Sequence, residues 1–205
     1  MSEQLSPIDV RRLFLEDYEW ERTHQTWKSL KPNKNFNTWS PDDESPKEYF
    51  ERINSEFDIP LEVIEQWLYP HFYNRQTTNN YGWINFSFIK FEKEQWPLER
   101  LTEVYVIEDY RDYVQMRARS RNFDDFMCIQ SDLEYWKTNG TWRVPPIILD
   151  ARNLQNIPQY SEIVPPYQLV EGHTRLGYLL AFSNFCQNTG DFIADRHEVY
   201  IMKPD

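Results

Sequence analysis

Residues 167–176 read Tyr167-Gln168-Leu169-Val170-Glu171-Gly172-His173-Thr174-Arg175-Leu176, a strand, a sharp turn and the opening of a helix. Tyr167–Val170 has the composition of a short strand. Glu171-Gly172 supplies the turn. The helix is expected from His173 to about Asn184, with Leu176, Leu179, Leu180 and Ser183 on one face. Such a corner suits a phosphate. Gly172 lets the backbone turn tightly and lets a ligand come close. The N–H groups of His173, Thr174 and Arg175 precede the first intrahelical bonds, at the positive end of the helix. Thr174 adds a hydroxyl donor, and the Arg175 guanidinium grips phosphate with two parallel hydrogen bonds. Glu171 is suited to orient Arg175, to hold a ribose hydroxyl or to hold a metal-bound water. His173 is suited to donate to phosphate or to move a proton near neutral pH. The plainer alternative is a surface ion pair, Glu171 with Arg175 one turn on, beside a solvated His173.

Working outward, Glu198–Met202 is expected as a closing strand, and Pro145-Pro146 precedes a buried-looking strand, Ile147-Ile148-Leu149. Upstream, Asn122 is expected to cap a helix whose stripe is Phe126, Ile129, Leu133 and Trp136, ended by Asn139-Gly140. Glu103–Ile107 and Trp83–Phe91 are expected strands, the second from the alternation of Ile84, Phe86 and Phe88. The first hundred residues read as helical and aromatic. Ser6-Pro7 opens one helix, through Val10, Leu13, Phe14 and Tyr18. Residues 31–46 read as a loop. Ser45–Glu48 has the capping-box spacing. Pro60 opens a short helix that Pro70 is expected to stop.

Composition narrows the function classes. The chain has 205 residues but only 5 glycines, where average usage of ~7% would give roughly fourteen. That excludes glycine-rich dinucleotide loops. Gly172 and Gly177 have the spacing of P-loop glycines, but Tyr178 and Leu179 stand where that motif needs Lys and Ser or Thr. Aromatic residues make up 17%, which speaks against disorder. The net charge of −11 argues against a broad nucleic-acid surface, because phosphate affinity rests on clustered Lys and Arg. Residues 1–139 hold 26 acids against 17 bases, so the front of the chain carries most of the excess. It is a solubilising surface or a docking face for a basic protein such as a nuclease toxin. Two cysteines, Cys128 and Cys186, make neither a disulfide scaffold nor a zinc site. No metal-ligand spacing joins His24, His71, Cys128 and His197, and Asp42-Asp43-Glu44 reads as a solvated loop. The start of the chain has no secretory signal and no run is long enough to span a membrane, so a cytoplasmic protein is expected.

The Gly172–Arg175 box, the extended residues before it and the helix after it resemble the signature of the ParB/sulfiredoxin superfamily, a Gly-x-x-Arg box behind a strand. The neighbourhood agrees: a helix ending at Gly140, a Pro-Ile strand after it, and a closing strand at Glu198–Met202. The resemblance covers roughly residues 101–203. It implies an α/β (α+β) fold, with a ParB/sulfiredoxin-like domain over 101–205 behind a helical extension, residues 1–100. It also implies a nucleoside triphosphate (ATP or CTP, with or without Mg²⁺) bound through Gly172, His173, Thr174 and Arg175. Glu171 and His173 are then the candidates for NTPase or phosphotransferase chemistry. Gly172 and Arg175 match the constant positions of the box and Glu171 its acidic residue; His173 and Thr174 match its variable middle. Sulfiredoxin chemistry needs cysteine directly after the glycine, and here that residue is His173. Cys186 lies too far along the helix to replace it and is expected in the core. The helix-turn-helix module of partition proteins is not expected in a chain ending at Asp205. Arg117, Arg119 and Arg121, and Asp150 with Arg152, are secondary candidates for the pocket edge. The rival to a nucleotide site is a non-catalytic scaffold, an immunity protein, antitoxin or inhibitor, that blocks a basic partner.

Overall fold

The computed structural model describes residues 22–34 and 43–204. The expected helix after Ser6-Pro7 lies outside them. The described chain divides into two compact units. One runs to Phe88 and includes Pro158–Ser161; the other comprises Ile89–Ile157 and the residues from Glu162 onward.

The first unit is helical: α1 (Gln25–Ser29), α2 (Pro46–Ile53), α3 (Leu61–Val63), a π-helical turn (Ile64–Leu68), α4 (Tyr69–His71) and α5 (Arg75–Tyr81). The capping box forms. Ser45 Oγ accepts from Glu48 N, and Ser45 N donates to Glu48 Oε2 at 2.8 Å. Pro70 does not stop its helix, contrary to expectation. The preceding turn widens instead, so that Tyr69 N–H reaches back five residues to the Ile64 carbonyl. A wider turn relieves the clash of the proline ring with the preceding turn, and Pro70 becomes an early residue of α4. The core of this unit is made of rings. Trp27 stacks on Phe72 at 4.7 Å, and Trp67 meets Tyr81 edge-on at 5.4 Å. Ile84 and Phe86 are buried too, Phe86 with its ring centre 5.5 Å from that of Trp27. Their alternation therefore marks core contacts and a single 3-10 turn (Phe86–Phe88), not the strand expected over Trp83–Phe91.

The strand starts later. β1 (Ile89–Trp96) carries Lys90, Glu92, Lys93 and Glu94, a charge content suited to an edge strand. With β2 (Ile147–Asp150), β3 (Tyr167–Glu171) and β4 (His197–Pro204) it forms a mixed four-stranded sheet in the order β1-β4-β2-β3. β1 and β4 are antiparallel, β2 and β4 parallel, β2 and β3 antiparallel. β2 is buried along its whole length, as a central strand with a parallel neighbour must be. Glu103–Ile107 is not a strand. Only Tyr105 bridges to the sheet, through Tyr105 N to Tyr167 O at 2.8 Å and Leu169 N to Tyr105 O at 2.9 Å. A helix starting at Glu108 cuts it short.

Helices α6 (Leu98–Thr102), α7 (Glu108–Arg117), α8 (Gln130–Asn139) and α9 (His173–Thr189) complete this unit. The Asn122 cap holds, but over one 3-10 turn: Asn122 Oδ1 accepts from Asp124 N at 2.9 Å and Asp125 N at 3.2 Å. The helix proper begins at Gln130, so Ile129 is exposed and does not share a stripe with Phe126, which is buried. Gly140 ends α8 in the left-handed conformation. α9 runs five residues past the expected end and is buried on more than one face: Leu176 and Leu179 are joined in the core by Tyr178, Phe182, Phe185 and Cys186. These pack with Ile148, Leu169, Val199 and Ile201 of the sheet. Gly177 is where α9 meets α7. A Cβ there would lie 2.5 Å from Arg117 Cβ and 2.8 Å from the Val114 carbonyl oxygen. The mixed α/β architecture agrees with the fold class expected. No helix of the described residues is long and apolar enough to cross a membrane.

Candidate functional site

The expected corner forms where β3 runs into α9. Gly172 has φ +106, a left-handed conformation that L side chains rarely adopt. A Cβ there would also lie 2.4 Å from Pro146 Cβ, so the position is closed to other residues by space as well as by torsion. The first intrahelical bond of α9 is Leu176 N to Gly172 O at 2.9 Å. The N–H groups of His173, Thr174 and Arg175 lie ahead of it, and no side chain caps the helix start.

A cleft of about 200 Å³ opens at this corner. Glu171, Gly172, Thr174 and Arg175 line it, together with Tyr178 one turn further along α9. α8 contributes Asp132 and Trp136, and the segment after it Trp142, Arg143 and Val144. Cys128 completes the wall. Four charged groups face each other in pairs. Arg143 Nε donates to Asp132 Oδ1 at 2.6 Å, and Arg175 Nη2 lies 3.8 Å from Glu171 Oε1. Burial pulls the Arg175 guanidinium below the ordinary arginine value, while Glu171 and then Asp132 support its charge. Two cations and two anions leave the cleft balanced, with donors concentrated at the helix start.

The two middle residues of the box part company. Thr174 lines the cleft and shares a hydrogen bond with the Tyr113 hydroxyl of α7 at 2.8 Å. His173 is buried with its ring 4.4 Å from that of Tyr110, and it does not line the cleft. Glu171 stands at the cleft beside Arg175, where it can hold that guanidinium in place. Among the secondary candidates, Arg117 lies against α9, its guanidinium carbon 5.0 Å from the Tyr113 ring centre and 5.8 Å from that of Tyr178. Arg121 is on the surface beside Asp125. Asp150 is gripped by Arg152 through two hydrogen bonds, at 2.9 and 2.6 Å, which hold its carboxyl below the ordinary range. That pair does not line the cleft.

Asp132, Arg143, Trp136, Trp142, Val144, Tyr178 and Cys128 are the cleft residues that sequence reasoning did not select. Their separation from the box, more than twenty-five residues for all but Tyr178, carries no spacing signal. Burial, then Asp132, push the Cys128 thiol up, so it is poorly disposed to act as a thiolate. Cys186 is buried in the core, as expected. Glu44 of the acidic loop is held by Arg52 at 2.7 Å, and Asp42 lies outside the described residues. No group of three or more His, Cys, Asp or Glu among the described residues is placed to hold a metal ion. The chain gives no match when compared with protein-family models, with curated proteins or with solved structures.

Proposed function

We propose that the cleft at the Gly172 corner binds the phosphates of a nucleotide and that the unit carrying it is a ParB/sulfiredoxin-like domain. The observation that supports this is the convergence on one cleft of a left-handed Gly172, the N-terminus of a 17-residue helix, Thr174, Arg175 and Arg143. Each is a donor or permits one to come close, and phosphate oxygens only accept. The order of elements, with α8 ending at Gly140, then β2, β3, the box, α9 and β4, is the order the resemblance calls for. A volume of about 200 Å³ falls below the roughly 300–1,000 Å³ of sites that enclose a whole small molecule. It suits the phosphate end, with the nucleoside outside. Glu171 and Asp132 keep the arginines in place before the ligand arrives. Any Mg²⁺ comes with the nucleotide, whose oxygens supply most of its ligands. NTP hydrolysis or phosphoryl transfer is the chemistry this arrangement serves, with Glu171 as the acidic group beside Arg175. With His173 packed on Tyr110, its role is to brace the box.

Thermal unfolding with ATP and with CTP, each with and without Mg²⁺, tests the proposal. Ligand at a hundred times Kd stabilises by about 2.7 kcal/mol, and Arg175→Ala should remove the shift. No shift at millimolar nucleotide would sink it. A second reading has its own support. Met127 and Ile129 are 78% and 62% exposed in a segment that also carries Asp124 and Asp125, and apolar anchors beside acids suit the docking of a basic protein. Salt-sensitive capture of such a protein, lost in a Met127→Ser/Ile129→Ser double variant and unchanged by Arg175→Ala, would favour that reading.

A further inference from the structure

Tyr178 carries a hydroxyl proton that the fold does not use. Its side chain is 1% exposed, and it lines the cleft. Its oxygen is engaged as an acceptor, taking the Met127 backbone N–H at 2.7 Å. Arg117, the cation near its ring, only donates. Among the described residues no hydrogen bond donated by the Tyr178 O–H is formed. A donor buried to this extent and left without an acceptor costs free energy comparable to a lost hydrogen bond. Tyr178 therefore has a proton available to an acceptor that enters the cleft.

A second hydroxyl points the same way. Thr174 and Tyr113 have two hydroxyl protons between them and share one hydrogen bond of 2.8 Å. Whichever of them donates, one proton remains. Thr174 and Tyr178 stand four residues apart on α9 and so lie on one face of it, with Arg175 between them in sequence.

We propose that Tyr178 is a ligand-contacting residue of this cleft, donating its hydroxyl proton to an anionic oxygen, and that it selects an acceptor-only, tetrahedral oxyanion such as the terminal phosphate of a phosphate ester. This rests on the phosphate reading of the cleft. It adds the residue that discriminates. A phosphate offers three non-bridging oxygens, enough for the Tyr178 hydroxyl, the Thr174–Tyr113 hydroxyl pair and Arg175 together. A neutral hydroxyl or amide ligand offers fewer acceptor oxygens to these donors and no charge to Arg175.

Isothermal titration of the whole chain with ATP and with inorganic pyrophosphate tests this, on the wild type, Arg175→Ala and Tyr178→Phe. Phenylalanine keeps the ring that stacks on Phe126 at 4.0 Å, and the unliganded unfolding midpoint reports separately the loss of the Met127 contact. Losing one hydrogen bond to a charged group should weaken both probes roughly ten- to a hundred-fold. In a second variant, 3-fluorotyrosine at position 178 acidifies the phenol and should tighten both, which a purely structural tyrosine would not do. If the wild type binds and Arg175→Ala weakens it, but Tyr178→Phe stays within twofold of wild type, the inference about Tyr178 is overturned and the phosphate reading stands. If the wild type binds neither probe, the phosphate reading is overturned and this inference with it.

Discussion

Replacing Gly172 by alanine puts the geometry of the corner to a quantitative test. Two costs combine there. At φ +106 an alanine is strained, which costs on the order of 1–2 kcal/mol. Its Cβ would also meet Pro146 Cβ at 2.4 Å, and forcing a methyl group into packed surroundings costs about 1–3 kcal/mol. Together these predict a loss of about 2–5 kcal/mol and a midpoint about 5–15 °C lower for a chain of this size. Gly190 separates the two costs. It is also left-handed, at φ +74, but a Cβ there would meet nothing within 4 Å. Gly190→Ala should therefore show the torsional cost alone. Differential scanning calorimetry of the two variants beside wild type is the assay. The expected order is wild type above Gly190→Ala above Gly172→Ala. Equal midpoints for the two variants would refute the close approach of Gly172 to Pro146, and with it the tight turn on which the cleft depends.

Further outcomes follow from the charges. His197 is fully buried and burial pushes its pKa down to about 4, with Glu99 opposing weakly. Its folded state binds fewer protons than the unfolded chain, so its contribution to stability is complete above about pH 6.5 and is lost as pH falls toward 4. The total is on the order of 3 kcal/mol. Urea titrations at pH 7 and pH 4.5 should show a smaller acid loss for His197→Gln than for wild type; equal losses would count against a buried neutral imidazole. Arg152→Ala leaves the buried Asp150 carboxylate without its bidentate partner and should destabilise by about 1–3 kcal/mol, whereas Arg121→Ala, at an exposed pair, should change stability by less than about 0.5 kcal/mol. Chemical denaturation distinguishes the two, and similar values would contradict the difference in burial.

Where a residue's neighbours in sequence are also its neighbours in space, the sequence was enough. The β3–Gly172–α9 corner, the buried β2 behind Pro145-Pro146, the closing strand and the Ser45–Glu48 box rest on local pattern, turn chemistry and capping, whose partners lie within a few residues. Tertiary structure decided the rest. Ile84 and Phe86 alternate like a strand, but the rings around Trp27 use them as core, and the charged stretch after them makes the strand because its pairing partner, β4, lies over a hundred residues on. Pro70 stays within its helical run because a π-helical turn absorbs it, which no local rule foresees. Gly177 has no local signature either; its reason is the backbone of α7 pressed against α9. The cleft divides in the same way. Gly172, Thr174 and Arg175 were legible as a motif, whereas Asp132, Arg143 and Trp142 reach the helix start only because α8 and the segment after it fold back beside it. Even within the motif, only packing sends His173 toward Tyr110 and leaves Tyr178, a residue the pattern marked merely as the wrong one for a P-loop, with a proton to give.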